Sequence, residues 1–252
     1  MRNLQSFQNI SGFSNTNAVE AVVTLQSYIK SLSGLVVYYP MDETSGSTTV
    51  NQAPDTLGTL NGTITGATIN QEGQSGASYS FDGVGDYTTL SGYNFYGTYT
   101  SHSVVMMIKC AAADDTKLLA FGNTADDAPL WQMVTTGSGG VSLYIRNDGN
   151  NPVIGFSGRA STSNTFCNSQ WHQIVWTDDN GTAKLYLDGV QDATNFTYTR
   201  SGVFTFNTLS YGAMIRVLVT ANYLGHQQHA VLVNGILSQA QITKLAQLAG
   251  LA

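Results

Sequence analysis

From Gly34 to its C-terminus the chain consists of short β-rich runs separated by clusters of Gly, Asn and Asp. Short strands with frequent turn signals are typical of an all-β sandwich. The clearest hairpin signal is LYLDG at 185–189, because Asp-Gly suits a type I′ turn, in which both central residues need positive φ. The pattern therefore predicts strands over most of the chain.

The runs predict thirteen strands and one C-terminal helix. The predicted strands are 35–39, 77–81, 87–90, 103–109, 117–122, 130–134, 141–146, 153–156, 171–177, 183–187, 209–211, 215–220 and 229–233. A helix is predicted over 238–248, because Ser238 can cap it and Ile242, Leu245 and Leu248 keep helical spacing.

Residues 1–33 differ in composition and are predicted to form a separate N-terminal arm, with 34–252 as the sandwich domain. Asn17 and Glu20 have the spacing of a capping box, and Gly34 stands where a helix would end. Large aliphatic residues between them recur on one helical face: Val22, Leu25, Ile29 and Leu32. The arm is therefore predicted to contain a short amphipathic helix.

The arm also carries the predicted partner-binding residues. A polar tail with spaced apolar groups gains little stability alone, but it gains more by docking on a neighbouring subunit. The predicted partner surface comprises Phe7, Ile10, Phe13, Val22, Leu25 and Ile29. The alternative is that the helix simply covers one end of the sandwich.

Charge is scarce, because only 10% of the residues are charged and the net charge is −6. Such a surface suits packing against other subunits or sugars, and it equally suits an ordinary soluble domain. The ten basic residues form no stripe, so we expect no nucleic-acid partner. The start of the chain lacks the apolar segment of a signal peptide, and no apolar run is long enough to span a membrane.

The two cysteines, Cys110 and Cys167, show no CxxC spacing and cannot form a four-ligand zinc site alone. Each lies in or beside a predicted strand. We expect buried free thiols in preference to a disulfide, because a disulfide would need an oxidising compartment that nothing else in the sequence indicates.

Several segments occur in an order that resembles a known family. They are LVVYYPMDETSG at 35–46, NGT at 61–63 with SFDGVGDY at 80–87, QWHQIV at 170–175 with LYLDGV at 185–190, and NGILSQAQI at 234–242. Together they resemble the laminin-G-like domain of the concanavalin A-like lectin/glucanase superfamily. The resemblance implies a two-sheet antiparallel jelly-roll sandwich, but not a function, because the superfamily includes lectins, glycosidases and inert spacers.

Glycosidases of this superfamily carry closely spaced glutamates on one strand, where like-facing positions bring the two carboxyl groups together. Glu20, Glu43 and Glu72 are the only glutamates, and they are far apart in sequence. No G-x-S-x-G nucleophile elbow occurs either. We therefore expect no catalytic residues and no enzyme activity.

Adjacent aspartates occur at 114–115, 126–127 and 178–179, beside turn signals. On a strand the members of each pair would face opposite sides, so we interpret all three as solvated loops. His226 and His229 would also point to opposite faces of a strand, which argues against a shared metal. His172 belongs to the WH motif and is interpreted as a packing residue.

Many relatives in the family bind calcium, so calcium is the one cofactor that the resemblance suggests. Asp82 and Asp86 match an acidic motif and can contribute oxygen ligands. Gln228, however, stands where the family has an acidic residue, which removes a carboxylate. The alternative is that both aspartates fix a turn through Asx hydrogen bonds.

A sugar site would use exposed aromatic rings framed by polar side chains. The candidate residues are Tyr93, Phe95, Tyr96, Tyr99, Trp131 and Tyr223. Because tyrosine is also favoured in strands, the sequence leaves open whether these rings line a binding site or the core.

These observations favour a non-catalytic structural or adhesive protein. The apolar-spotted arm, the charge-poor surface and the missing export signal suggest a virion component made in the host cytoplasm, such as a bacteriophage capsid-decoration or tail protein. Its expected partners are other virion subunits or further copies of itself, and cell-surface glycans. The alternative is a carbohydrate-binding module or bacterial surface adhesin that is secreted or held at the cell surface. A glycoside hydrolase is the third hypothesis.

Overall fold

A computed structural model describes residues 23–155 and 159–252. Phe7, Ile10, Phe13 and Val22, with the predicted capping box, lie outside the described residues. The helices are α1 (Leu25–Lys30), α2 (Phe95–Thr98) and α3 (Gln239–Leu248). The strands are β1 (Leu35–Tyr39), β2 (Thr48–Thr49), β3 (Gly62–Thr65), β4 (Thr68–Glu72), β5 (Ala77–Asp82), β6 (Tyr87–Ser91), β7 (Ser101–Cys110), β8 (Lys117–Asn123), β9 (Asp126–Thr135), β10 (Val141–Arg146), β11 (Pro152–Ile154), β12 (Trp171–Asp179), β13 (Thr182–Leu187), β14 (Val190–Gln191), β15 (Thr208–Tyr211), β16 (Ala213–Ile215), β17 (Val219–Ala221) and β18 (Leu224–Asn234).

Two large antiparallel sheets form a sandwich, which confirms the predicted fold class. The back sheet has the order β14-β13-β12-β7-β18-β5-β4, and β1 also pairs with β18. The front sheet has the order β11-β10-β9-β8-β15-β6-β3-β2. The long strand β18 pairs with β7 on one side and with two strands on the other, where a bulge at His229, whose φ is 51°, separates the part paired with β5 from the part paired with β1.

The inner faces of the two sheets enclose the main core. Because side chains alternate along a strand, Trp131 and Met133 of β9 face Ile174 and Trp176 of β12 across the sandwich. The two tryptophan rings meet edge to face with centroids 6.3 Å apart, and both are fully buried. Such aromatic pairs add about 0.5–1.5 kcal/mol beyond the area that they bury.

A second apolar cluster lies on the outer face of the back sheet, where α1 and α3 cover it. Thr24 and Ser238 cap these helices, and each accepts a hydrogen bond from the backbone N–H three residues on. The helices contribute Leu25, Ile29, Ile242 and Leu245 to this cluster. The outward-facing residues of the back sheet that pack with them are Tyr38, Val105, Val175 and Val231. Burying one such aliphatic side chain stabilises the fold by about 1.5–3 kcal/mol.

The position of α1 corrects part of the predicted partner surface. Leu25 is 3% exposed and Ile29 is fully buried against this chain's own back sheet, so neither is free to contact another subunit. The helix also begins at Leu25 behind Thr24 in the described residues, with Thr24 and Ser27 as the capping box. The alternative interpretation, in which the helix covers the sandwich, is the one that fits.

The cysteines correct a second expectation, because Cys110 at the end of β7 is disulfide-bonded to Cys167 in the segment before β12. The preference for free thiols was wrong. The two residues are 57 positions apart in sequence, and only the return of the chain to the end of β7 brings their Cα atoms to 4.7 Å.

Most predicted strands are present, two with the predicted bounds, 35–39 and 141–146. The predicted strand 215–220 is wrong, because Arg216 to Leu218 form a turn between β16 and β17. That hairpin packs on the outer face of the front sheet, where Ser210 and Thr208 donate hydrogen bonds to the carbonyls of Ala213 and Ile215 at 2.7 and 3.0 Å. None of the helices in the described part of the chain is long and apolar enough to cross a membrane.

Candidate functional site

A cleft lined by Tyr93 and Tyr99 is the best candidate for a binding site, and we call it the tyrosine cleft. Its volume is about 450 Å³, and its lining residues are Gly34, Leu35, Val36, Asp55, Thr56, Thr59, Leu60, Tyr93, Tyr99 and Asn234. Both tyrosine rings are half-buried, and the Tyr93 hydroxyl donates to the Tyr99 hydroxyl at 3.3 Å. The cleft therefore combines two aromatic rings with carboxylate, hydroxyl and amide groups.

The two tyrosines flank α2, which is held in place from several directions. Asn94 caps the helix and also donates from Nδ2 to the carbonyl of Phe204 at 2.8 Å. Arg200 donates from Nη2 to the carbonyl of Tyr96 at 2.6 Å. Because the segment is fixed at both ends, the rings of Tyr93 and Tyr99 are presented without a large ordering cost.

The other four predicted sugar-binding aromatics are core residues. Phe95, Tyr96, Trp131 and Tyr223 are fully buried, so none of them can stack on a sugar ring. On α2 the difference arises within a single turn, because Phe95 points into the core against Phe121 while its neighbours Tyr93 and Tyr99 stay at the surface. For these four residues the core alternative was correct.

A buried polar cluster lies next to α2 and corrects the interpretation of 178–179. Asp178 is fully buried, not solvated, and accepts hydrogen bonds from the Tyr198 hydroxyl at 2.6 Å and from the Gly181 N–H at 2.7 Å. Tyr198 in turn meets the Tyr96 hydroxyl at 2.5 Å, and Arg200 lies 4.1 Å above the Tyr96 ring. Burial raises the pKa of Asp178, although its hydrogen bonds from Tyr198 and Gly181 oppose the shift.

His102 lies beside the same cluster. It is fully buried, its ring meets those of Phe95 and Tyr96 edge-on, and its Nδ1 is 3.2 Å from the carbonyl of Tyr99. Burial, and then the charge of Arg200, lower the pKa of His102 from its ordinary 6.5 to about 3. The neutral ring therefore donates from Nδ1 to the carbonyl of Tyr99 and helps to hold this residue in place.

The other acidic residues considered from the sequence do not line the tyrosine cleft, although Asp114 and Asp115 line a separate surface cleft of about 350 Å³. Glu43 accepts from the Val50 N–H at 2.7 Å with one oxygen and from the Tyr79 hydroxyl with the other. Glu72 is exposed at the end of the edge strand β4, and Glu20 lies outside the described residues. The pairs 114–115 and 126–127 lie at the surface, as expected for loops, although 126–127 begins β9.

Asp82 and Asp86 fix a turn through hydrogen bonds to the backbone, which was the alternative to a calcium site. Asp82 Oδ1 accepts from the Val84 N–H at 2.7 Å, and Asp86 Oδ2 accepts from the Asp82 N–H at 2.9 Å. At the position where the family has an acid, Gln228 accepts from the N–H groups of Gln74 and Ser75 and donates to the carbonyls of Ser75 and Ala77. A carboxylate at this position could not donate hydrogen bonds to the Ser75 and Ala77 carbonyls, so the Gln228 amide stabilises this loop in a way that an acidic residue could not.

The histidines each have a separate environment. His172 lies 2.7 Å from the Asp188 carboxylate and 3.0 Å from Asn168, and so links β12 to the hairpin that follows β13. His226 faces Ser78 at 3.4 Å, whereas His229 contacts the Tyr38 hydroxyl at 2.9 Å. Within residues 23–155 and 159–252, no group of three or more His, Cys, Asp or Glu side chains is placed to hold a metal ion.

The fold is similar to solved lectin-like domains. Domain 4 of AbnA, a GH43 extracellular arabinanase from Geobacillus stearothermophilus in complex with arabinotriose, has a TM-score of 0.63 and 20% identity, over 85% of this chain and 99% of that one. Trypanosoma rangeli sialidase with the inhibitor DANA has a TM-score of 0.62 and 15% identity, over 85% of this chain and 33% of that one. The botulinum neurotoxin serotype D binding domain has a TM-score of 0.61 and 13% identity, over 85% and 51%.

The chain thus spans about a third of the sialidase and half of the neurotoxin chain, and at these identities the likeness concerns the fold alone. A comparison of the sequence with curated proteins finds no match. The family model described as the concanavalin A-like lectin/glucanases superfamily matches residues 82–243, which is more than half of the chain. The order of the sequence motifs, the two facing sheets and this match agree, and the chain belongs to the concanavalin A-like lectin/glucanase superfamily.

Proposed function

We propose that this chain is a non-catalytic adhesive module that binds a glycan in the tyrosine cleft. The observation that carries the proposal is the pair of half-exposed rings of Tyr93 and Tyr99, presented beside Asp55, Thr59 and Asn234. Pyranose and furanose rings have apolar faces that pack on aromatic rings, and their hydroxyls hydrogen-bond to carboxylates, amides and hydroxyls. The complex of the similar AbnA domain with arabinotriose supports an oligosaccharide as the class of ligand.

The absence of catalysis is part of the proposal. Hydrolysis of a glycosidic bond needs two carboxyl groups across the bond, one as acid and the other as base or nucleophile. Asp55 is the one carboxylate that lines the tyrosine cleft among the described residues. Release of reducing sugar from a polysaccharide bound in this cleft would instead support the hypothesis that the chain is a glycoside hydrolase.

Replacing Tyr99 with Ala is expected to weaken glycan binding about tenfold or more, because an aromatic contact of this kind contributes about 1.5 kcal/mol. Tyr99→Phe keeps the ring and is expected to retain most of the binding. The measurement is a glycan array followed by calorimetric titration of the best ligand. Tyr87→Ala, at the opposite end of β6 from the cleft, is the matched control.

A chain that binds no glycan on the array, or one whose binding is equal in the Tyr99→Ala and Tyr87→Ala variants, would contradict the proposal. Thermal unfolding of each variant shows whether a loss of binding reflects a loss of fold.

The proposal includes display of the module on a virion, such as a bacteriophage capsid or tail. The low charge of the chain and the apolar residues of its N-terminal arm, Phe7, Ile10 and Phe13, support attachment to other subunits. The disulfide supports a working environment that is oxidising, such as a released particle or a cell surface, because reducing cytosol keeps thiols free. A secreted adhesin shares this environment and is the second candidate.

Deletion of residues 1–22 is expected to leave a folded chain that no longer joins its assembly. The cut falls before Thr24, so it spares the helix whose Leu25 and Ile29 cover the back sheet. Circular dichroism checks the fold, and co-sedimentation with purified particles measures incorporation. If the shortened chain is incorporated as efficiently as the full-length chain, residues 1–22 have no role in attachment.

A further inference from the structure

A second cleft opens on the back sheet, and we call it the back-sheet cleft. Its volume is about 220 Å³, and its lining includes Ser80, Lys109, Ser169, Leu224 and His226. Typical small-molecule sites measure about 300–1,000 Å³, so this cleft suits a single sugar ring better than a longer oligosaccharide.

Pairing of four neighbouring strands places polar side chains of this cleft in one row. His226 of β18 lies directly opposite Lys109 of β7 on one side and Ser80 of β5 on the other. Trp171 of β12 continues the row beyond Lys109. Because side chains alternate along a strand, Lys109 shares the outer face of β7 with Val105, which belongs to the cluster under α1 and α3. The row therefore lies on the outer face of the back sheet, beside that cluster.

Lys109 is the one charged residue that lines the back-sheet cleft among the described residues. It is half-buried, but its Nζ is not enclosed and makes no hydrogen bond or ion pair within residues 23–155 and 159–252. Asp82 is on the same face of the sheet but lies opposite Leu224, and its Oδ1 accepts from the Val84 N–H. The ammonium group is therefore accessible and has no internal counterion.

His226 presents a hydrogen-bond acceptor next to this cation. Its Nδ1 is 3.4 Å from the Ser78 hydroxyl, which itself donates to the carbonyl of Glu72 at 3.0 Å. Because a hydroxyl has one proton, Nδ1–H donates to Ser78 and Nε2 stays an acceptor in the neutral ring. Burial, and then the charge of Lys109, lower the pKa of His226, so the ring is neutral at pH 7. Nε2 is not enclosed, and it has no partner in the described part of the chain.

The back-sheet cleft also has an apolar side. Leu224 lines it and is 61% exposed, and it shares a face of β18 with His226, two residues further on. The Trp171 ring meets the His226 ring edge to face, with centroids 6.1 Å apart, and helps to hold the imidazole in place. A cation, an acceptor and an aliphatic surface are thus accessible in one small cleft.

We propose that the back-sheet cleft binds a sugar that carries an acidic group, with Lys109 bound to its carboxylate or sulfate and His226 accepting one of its hydroxyls. A hydrogen bond between an ammonium group and an anion is roughly twice as strong as one between neutral groups. The apolar face of the sugar ring packs on Leu224. The identity of the ligand as a sugar rests on the proposed function, whereas the recognition of an anion by Lys109 does not.

The test is an NMR titration of the full-length chain with sodium glucuronate and with glucose 6-sulfate, and with neutral glucose as the comparison. The acidic sugars are expected to shift the Lys109 and His226 signals, and glucose is not. A response to one acidic sugar alone identifies the acidic group that the cleft accepts, and a response to neither would overturn the inference.

Lys109→Gln is expected to weaken binding of the acidic sugar about tenfold, the factor that corresponds to one charge-assisted hydrogen bond. Lys109→Arg keeps the charge and is expected to retain most of the affinity. Lys184→Gln is the matched control, because Lys184 is an exposed lysine on the outer face of β13 in the same sheet. Equal affinities in the Lys109→Gln and Lys184→Gln variants would overturn the inference. Thermal unfolding of each variant checks the fold.

A second variant separates a sugar from a simple anion. His226→Phe keeps a ring beside Trp171 but removes the acceptor, so it is expected to weaken glucuronate binding severalfold and to leave acetate binding unchanged. Acetate bound as tightly as glucuronate, or methyl sulfate bound as tightly as glucose 6-sulfate, would mean an adventitious ion only and would contradict a sugar site.

The two proposals can fail separately. Tyr99→Ala is expected to leave glucuronate binding unchanged, and Lys109→Gln is expected to leave neutral glycans bound at the tyrosine cleft. Loss of neutral binding in the Lys109→Gln variant would contradict two independent sites. An acidic sugar bound without any neutral glycan on the array would uphold the back-sheet cleft and contradict the tyrosine cleft.

Discussion

Reduction of the disulfide between Cys110 and Cys167 is expected to lower the free energy of unfolding by about 4 kcal/mol, the chain-entropy value for a loop of 57 residues. The bond joins the end of β7, a central strand of the back sheet, to the long connection that leads into β12. Its loss lets the unfolded chain explore many more conformations, while the native contacts stay the same. The measurement is urea denaturation with and without a thiol reductant.

The Cys110→Ala/Cys167→Ala double variant is the matched control for this prediction. Its midpoint is expected to equal that of the reduced chain and to be insensitive to reductant. An oxidised and a reduced chain with the same midpoint would contradict a stabilising disulfide. Mass spectrometry of the alkylated, unreduced protein checks directly that both cysteines are bonded.

Acidification from pH 7 to pH 5 is expected to destabilise the fold, and two buried histidines that must stay neutral contribute about 4 kcal/mol to this loss in the free energy of unfolding. The pKa of His102 is lowered from 6.5 to about 3, and that of His229 to about 4. Between these values and 6.5 the unfolded state binds more protons, so stability is complete above the unfolded pKa and is lost as the pH falls through it.

Two carboxyl groups act in the opposite direction. Burial raises the pKa of Asp178 and Asp86, so each favours its protonated form in the fold and contributes its full stability below the unfolded pKa. That contribution is lost as the pH rises through the raised folded pKa. The acid loss is therefore expected to be steepest just below pH 6.5 and to flatten once these carboxyl groups take up protons.

The measurement for this prediction is urea denaturation at pH 8, 7, 6 and 5. The step from pH 8 to 7 lies above the titration of both histidines and serves as the internal control. His229→Asn, which tolerates the positive φ of 51° at this position, is expected to remove about half of the acid loss. An acid loss of the same size in the unchanged chain and in the His229→Asn variant would contradict a lowered pKa of His229 in the fold.

The candidate site could be predicted only in part from the sequence. The sequence predicts that aromatic residues at 93–99 are candidates for a sugar site, and Tyr93 and Tyr99 do line a cleft. Phe95 and Tyr96 between them are buried, because α2 is a single turn and no periodic pattern over so few residues distinguishes its two sides. Asp55 and Asn234, which line the same cleft, come from distant parts of the chain, and no local sequence pattern predicts that they lie beside the tyrosines.

One missed feature did have a local signal. Asn180-Gly181 is a favoured hairpin turn, and both residues have positive φ, at 48° and 99°. A turn there places Asp178 and Asp179 at the end of a paired strand, and Asp178 then faces the core side. Adjacent aspartates alone predict a solvated loop, but the turn signal that follows them here extends the strand through both residues.

The sequence alone determined the all-β class, strands such as 35–39 and 141–146, and the C-terminal helix behind Ser238, because each rests on alternation, spacing or capping between near neighbours in the chain. The tertiary structure decided the disulfide, the burial of Leu25 and Ile29, and the contact of Asp178 with Tyr198. These depend on which distant segments the two sheets bring together, and local patterns carry no information about such distances.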